Sequence, residues 1–149
     1  MSVGKTMATN RRARFDFEIL ETVEAGLVLT GTEIKAIREG RANISEGFAR
    51  PQSDEIWLFN AHISPYSSAS GENHEPTRPR KLLLHKEQII SLSKQVAEKG
   101  LSIVPLRLYL RRHLAKVELG LARGRRRYDK RRAIIDRERE REARSAVSR

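Results

Sequence analysis

The sequence predicts a mainly β protein with helices. The expected fold is an antiparallel β-barrel of the oligonucleotide-binding type, with about six strands and two to three flanking α-helices. A basic C-terminal tail, disordered when free, follows the barrel. Three observations lead there. Short segments alternate apolar and polar residues, the period of half-buried strands. Clusters of Gly, Pro, Ser and Asn separate these segments at short intervals. Helical periodicity takes over in two places only.

Residues 1–9 read as a flexible N-terminal arm, 10–124 as the barrel domain and 125–149 as the tail. Phe15-Asp16-Phe17-Glu18-Ile19 alternates as a strand does. Glu24-Ala25-Gly26 reads as a turn into a second strand, Leu27-Val28-Leu29-Thr30. Thr32 then serves as the N-cap of a short helix whose apolar face holds Ile34 and Ile37, and Gly40 ends it. Residues 43–50 and 55–62 read as two strands joined by the turn Pro51-Gln52-Ser53-Asp54. Residues 64–79 are rich in Ser, Gly and Pro and form a long connection. The main helix spans 86–99, with Ile89, Leu92 and Val96 at helical spacing and Gly100 as its stop. Residues 101–110 return to strand character. Ala115, Val117, Leu119 and Leu121 alternate with Lys116, Glu118, Gly120 and Ala122 as a last strand.

The net charge of +11 sits at the two ends. Between Phe15 and Ala122 there are 14 Lys and Arg against 14 Asp and Glu. The N-terminal 14 residues carry four basic residues and no acid, and residues 123–149 carry 12 basic and five acidic ones. A neutral body with Arg-rich ends is the layout of a protein that grips a polyanion, because guanidinium groups suit phosphate contact and base stacking. A solvated tail that aids solubility is the plainer alternative. Aromatic residues make up only 5% of the chain, which argues against a broad base-stacking platform.

Catalytic chemistry finds no support. The absence of Cys removes disulfides, thiolate zinc sites and Cys nucleophiles. His62, His74, His85 and His113 lack metal-ligand spacing, and each reads as a surface or hydrogen-bonded residue. Gly26 and Gly31 have the glycine spacing of a phosphate-binding loop, but Thr32-Glu33 follows where that loop needs Lys. No cofactor and no metal are expected. No apolar leader or membrane span is visible, so a cytoplasmic location is expected.

Eight blocks in order closely resemble the SsrA-binding protein family, also called small protein B. They include Asn10-Arg11-Arg12-Ala13, Glu24-Ala25-Gly26-Leu27-Val28-Leu29-Thr30-Gly31-Thr32-Glu33-Ile34-Lys35 and Gly40-Arg41-Ala42-Asn43-Ile44. His62-Ile63-Ser64-Pro65-Tyr66, Arg78-Pro79-Arg80-Lys81-Leu82-Leu83-Leu84-His85 and Val104-Pro105-Leu106-Arg107-Leu108-Tyr109 follow. Lys116-Val117-Glu118-Leu119-Gly120-Leu121-Ala122-Arg123-Gly124 and Tyr128-Asp129-Lys130-Arg131 complete the set. Relatives often carry Asn-Gly at the hairpin before the last strand. Here Arg111-Arg112-His113-Leu114 stands in that place.

The resemblance implies a non-enzymatic trans-translation factor. Such a protein binds the tRNA-like domain of transfer-messenger RNA (tmRNA) and enters stalled ribosomes, replacing the missing codon–anticodon pairing. The nascent peptide is then tagged for degradation. Elongation factor Tu and alanyl-tRNA synthetase would be partners only indirectly, through tmRNA. The protein would act as a monomer. The resemblance places Asn10, Arg11, Glu24, Lys35, Arg80, Lys81 and Leu83 on the RNA surface, with Arg123, Arg125 and Arg126 clamping RNA where the chain leaves the barrel. Tyr128, Asp129, Lys130 and Arg131 would meet the decoding centre of the small subunit. The tail would become helical in the empty mRNA channel. Glu24 is an acid beside phosphate, so as an RNA contact it must accept a hydrogen bond from a base amino group or a 2′-hydroxyl. Read from the residues alone, Glu24 is a turn or strand-end residue, and Leu83 is either core or surface. A generic rRNA-binding barrel protein is the alternative function.

Overall fold

The computed structural model describes residues 4–66, 71, 73–125, 135, 137–139 and 141. Twelve elements are present among them: β1 Lys5–Thr9, α1 Ala13–Asp16, β2 Phe17–Leu27, α2 Gly31–Arg38, β3 Ala42–Asn43, β4 Phe48–Gln52, β5 Glu55–Phe59, β6 His62–Ile63, β7 Arg80–Leu83, α3 Lys86–Lys99, β8 Ser102–Arg111 and β9 Leu114–Gly124. Every strand pairing is antiparallel. The order β8-β4-β5-β7-β2-β9 closes because β9 also pairs with β8. Six strands therefore form a ring, which leaves no free barrel edge. Along β8, β4 pairs at Ile103 and β1 at Arg107 to Leu110.

Alternation along the strands fills this ring. Ile56 and Leu58 of β5, Ile103 and Leu108 of β8, and Val117, Leu119 and Leu121 of β9 are buried in one core cluster. The register of β8 against β9 slips between Pro105 and Arg107. Val104 and Leu106 instead join Ala13 and Ala122 in a second, smaller cluster beneath α1. α3 packs Ile89, Leu92 and Val96 against the main core, and Gly100 ends it at φ 63 with its N–H on the Val96 carbonyl. That left-handed stop is what the sequence predicts for 86–99.

Several expectations are corrected. Lys5–Thr9 are not a free arm: they pair with β8, and Gly4 lies so close to the Tyr109 ring that a Cβ there would clash with it. Residues 24–26 do not turn. β2 runs through them, pairing with β9 from Phe17 to Gly26. Thr30, not Thr32, caps α2. Its hydroxyl accepts from the Glu33 N–H, and the Glu33 carboxylate accepts from the Thr30 N–H. The predicted strand over 43–50 is broken, because the Ser45 N–H donates to the Asn43 side chain and the Gly47 N–H to the Ile44 carbonyl. The β4–β5 hairpin is as expected, with Ser53 and Asp54 both at positive φ. In the β8–β9 hairpin Arg112 has φ 59 and His113 does not share the positive sign, so this turn is not the type I′ of Asn-Gly. Of residues 125–149, Arg125 extends the barrel, and Ile135, Arg137, Glu138, Arg139 and Arg141 have helical backbone.

Candidate nucleic-acid interface

Register brings Glu24 and Leu83 to one open cleft of about 350 Å³, with Gly26, Leu84, His85, Gln88 and Lys116 around it. Gly26 is the hub, since it pairs with Leu83 on one side and Lys116 on the other. A Cβ at Gly26 would lie 3.3 Å from that of Leu83, so the bare backbone lets the two strands approach. Leu83 is 52% exposed and is not core. Glu24 lies inside a strand and has two partners. It accepts a short hydrogen bond from the buried Tyr109 hydroxyl, and its other oxygen lies 3.9 Å from Lys116 Nζ. Burial, then the Glu24 hydrogen bond and charge, push the Tyr109 phenol up to about 12. It therefore remains a donor at neutral pH. The Arg107 guanidinium covers the Tyr109 ring at 4.4 Å. Glu24 is thus a held carboxylate beside an ammonium, able to accept one more donor.

Lys81 lies on the same strand as Leu83, in an adjoining open cleft with Gln52, Glu55 and Ile90. It makes an ion pair with Glu55. Lys35 projects from α2 with its ammonium 5.5 Å from the Tyr66 ring centre. Asn10 stands elsewhere: its side-chain amide donates to the Pro105 carbonyl at 2.9 Å. Pro105 is four residues along β8 from Tyr109, about 13 Å at the rise of a strand. Asn10 Oδ1 is buried and lacks a hydrogen-bond partner among the described residues. Arg11 is exposed beside it. Arg123 lies 3.6 Å from Glu18, and Arg125 donates to the Phe17 carbonyl at 3.3 Å. Arg126, Tyr128, Asp129, Lys130 and Arg131 lie outside the described residues.

Arg80 is a correction. It is fully buried, not on the RNA surface. Its guanidinium donates to Glu33 at 2.5 Å, to the Ala61 carbonyl at 2.7 Å and to the Pro76 carbonyl at 3.0 Å. Arg78 completes the cluster at 2.6 Å from the other Glu33 oxygen. Burial raises the Glu33 pKa, but Arg78, the Thr30 N–H and Arg80 outweigh it and hold the carboxyl at about 2. A charged group this deep needs all its hydrogen bonds satisfied, and the inward-facing Arg80 meets that need. Its role is to tie α2 to β7 and to the loop before it.

The sequence reading missed Lys116 and Tyr109. Lys116 is an outward residue of an alternating strand, and its pairing with Gly26 has no local signal. Among the described residues there is no group of three acidic or His side chains able to hold a metal. No described helix is long and apolar enough to cross a membrane.

Comparison with known proteins then fixes the family. The family model for SmpB protein matches residues 7–149. The SsrA-binding protein of Thermobifida fusca (strain YX) is 54% identical over 145 residues, covering 97% of this chain and 91% of that one. The SsrA-binding protein of Desulforudis audaxviator (strain MP104C) is 55% identical over 138 residues, covering 93% and 90%. A solved chain from "tmRNA-SmpB: a journey to the center of the bacterial ribosome" superposes with a TM-score of 0.68 at 49% identity, covering 85% of this chain and 92% of that one. With a fold that superposes on a solved relative and a sequence that agrees over nearly its whole length, this chain belongs to the SsrA-binding protein (SmpB) family.

Proposed function

We infer that this chain binds tmRNA and carries it into stalled bacterial ribosomes, as an RNA-binding factor of trans-translation and not as an enzyme. The observation that carries this reading is the family match over residues 7–149, with relatives named for binding SsrA. In this reading Glu24, Leu83 and Lys116 receive the tRNA-like domain in their cleft. Glu24 accepts a hydrogen bond, Lys116 neutralises phosphate and Leu83 packs against a sugar or base. Lys81, Lys35 and Arg11 extend the contact around the barrel, while the buried Asn10 holds the chain beside Arg11 against the Pro105 carbonyl. Arg123, Arg125 and Arg126 hold RNA where the chain leaves β9. Tyr128, Asp129, Lys130 and Arg131 engage the decoding centre, and the tail folds into the empty mRNA channel. An occupied channel excludes it, which selects ribosomes with truncated message. Elongation factor Tu and alanyl-tRNA synthetase reach this chain through tmRNA alone, in the cytoplasm.

The test is to sequence the RNA that copurifies with the protein from its native cells at moderate salt. Strong enrichment of one tmRNA is expected. Ribosomal RNA without that enrichment would overturn the reading in favour of a general ribosome-associated barrel.

A further inference from the structure

The outer face of β4, β5 and β7 gathers what the composition spreads thinly. Arg50, Trp57 and Lys81 lie directly opposite one another across the three strands. One step along, Phe48 faces Phe59, and their rings stack at 5.6 Å with planes 20° apart. The Arg50 guanidinium sits over both rings, at 5.4 Å from Phe48 and 4.9 Å from Phe59. Arg50 is exposed, and among the described residues no carboxylate lies within ion-pair distance of it. Lys81, by contrast, is offset by Glu55. Phe48 is 38% exposed although it is a large apolar side chain. The row ends at Lys81, next to Leu83, so it runs into the proposed tmRNA surface without a break.

Two rings hold Arg50 in place and leave its charge unspent. A guanidinium fixed in this way loses little entropy when a planar group stacks on it, and it attracts RNA while doing so. Unpaired bases stack on aromatic rings and on Arg planes alike. We propose that this face is a stacking platform for one unpaired base of the RNA, with Arg50 as its upper surface and Trp57 at its side. The proposal rests on the RNA-binding reading above. It names what that reading lacks, a contact by stacking rather than by phosphate charge.

Trp57 is the only tryptophan, so its emission reports on this face alone. The full chain is titrated with the tRNA-like domain of tmRNA, and Trp57 fluorescence is read beside a mobility shift on the same samples. Binding with a clear change in Trp57 emission is expected, since a base stacked on Arg50 comes to lie beside the indole across from it. Arg50→Ala and Arg50→Lys should each weaken binding about tenfold, because Lys keeps the charge and loses the plane. Full binding with unchanged Trp57 emission would overturn the platform and leave the RNA-binding reading intact, as would Arg50→Lys binding like the parent chain. The face would then serve a phosphate or a protein. No shift of the RNA by the parent chain would overturn both.

Discussion

Replacing Arg80 by Ala separates a structural arginine from an RNA contact. Arg80 and Glu33 are both 0% exposed. The substitution leaves Glu33 with Arg78 and the α2 cap, and it strips the Ala61 and Pro76 carbonyls of their guanidinium partner. Breaking a buried pair by removing one partner costs about 3–5 kcal/mol. The low pKa of the Glu33 carboxyl, about 2, is held by Arg78 and the Thr30 N–H more than by Arg80, so the variant keeps much of it. With Arg78 and the cap still on Glu33, the lower part of that range, about 3–4 kcal/mol, is expected in urea unfolding. In a thermal scan the same loss is about 10–15 °C for a barrel of this size. Binding to the tRNA-like domain, read at low temperature where the variant is still folded, should stay within about twofold of the parent. A variant that unfolds like the parent but loses RNA binding would refute the assignment and return Arg80 to the interface.

Three further outcomes follow from the same geometry. Because the folded-state pKa of Glu33 lies below its usual value, its stabilisation is complete above about pH 4.5 and is lost as pH falls toward 2; unfolding by urea as a function of pH should show that slope, and Glu33→Gln should flatten it. Tyr109→Phe frees Glu24 from its donor and should weaken RNA binding about fivefold, with no further loss when added to Glu24→Ala; additive losses would show that Tyr109 acts apart from Glu24. Cutting the chain after Gly124 should largely preserve binding to the tRNA-like domain, less the contacts of Arg125 and Arg126, and abolish peptide tagging in a reconstituted stalled-ribosome assay, and surviving tagging would refute the role given to Tyr128, Asp129, Lys130 and Arg131.

What the sequence made legible was local. α3 could be placed because an apolar 3.6-residue period and a left-handed Gly100 both act within one helix. The alternation of β9 and the Ser53-Asp54 turn are likewise written in adjacent residues. What escaped was set at a distance. Gly26 carries a local turn signal, yet it sits in a strand because Leu83 and Lys116 must approach it from both sides. Arg80 belongs to a basic run that reads as RNA-facing, and only Glu33, 47 residues earlier, turns it inward. Glu24 and Leu83 were singled out by family resemblance alone. Their convergence on Lys116 needs the register of three strands, which no spacing in the chain reveals.

The balanced charge of the body has a consequence for how binding responds to salt. The middle of the chain has equal numbers of basic and acidic residues, and several of its cations are paired: Arg80 with Glu33, Lys81 with Glu55, Lys116 with Glu24 and Arg107 with Glu118. A cation shared with a carboxylate displaces fewer counterions from RNA than a free one does, and counterion release sets the salt slope. The barrel should therefore bind through shape and held hydrogen bonds, with a shallow slope. The Arg-rich tail, with 11 basic and five acidic residues after Gly124, should supply the steep part. Measured from about 50 to 300 mM KCl on the full tmRNA, the slope of log K against log salt should fall by about two or more when residues 125–149 are removed, since each lost phosphate contact is worth roughly 0.7–0.9. An unchanged slope would mean that RNA breaks the ion pairs of the barrel. The geometry of Glu24 with Lys116 in the free protein would then not be the geometry that meets the RNA.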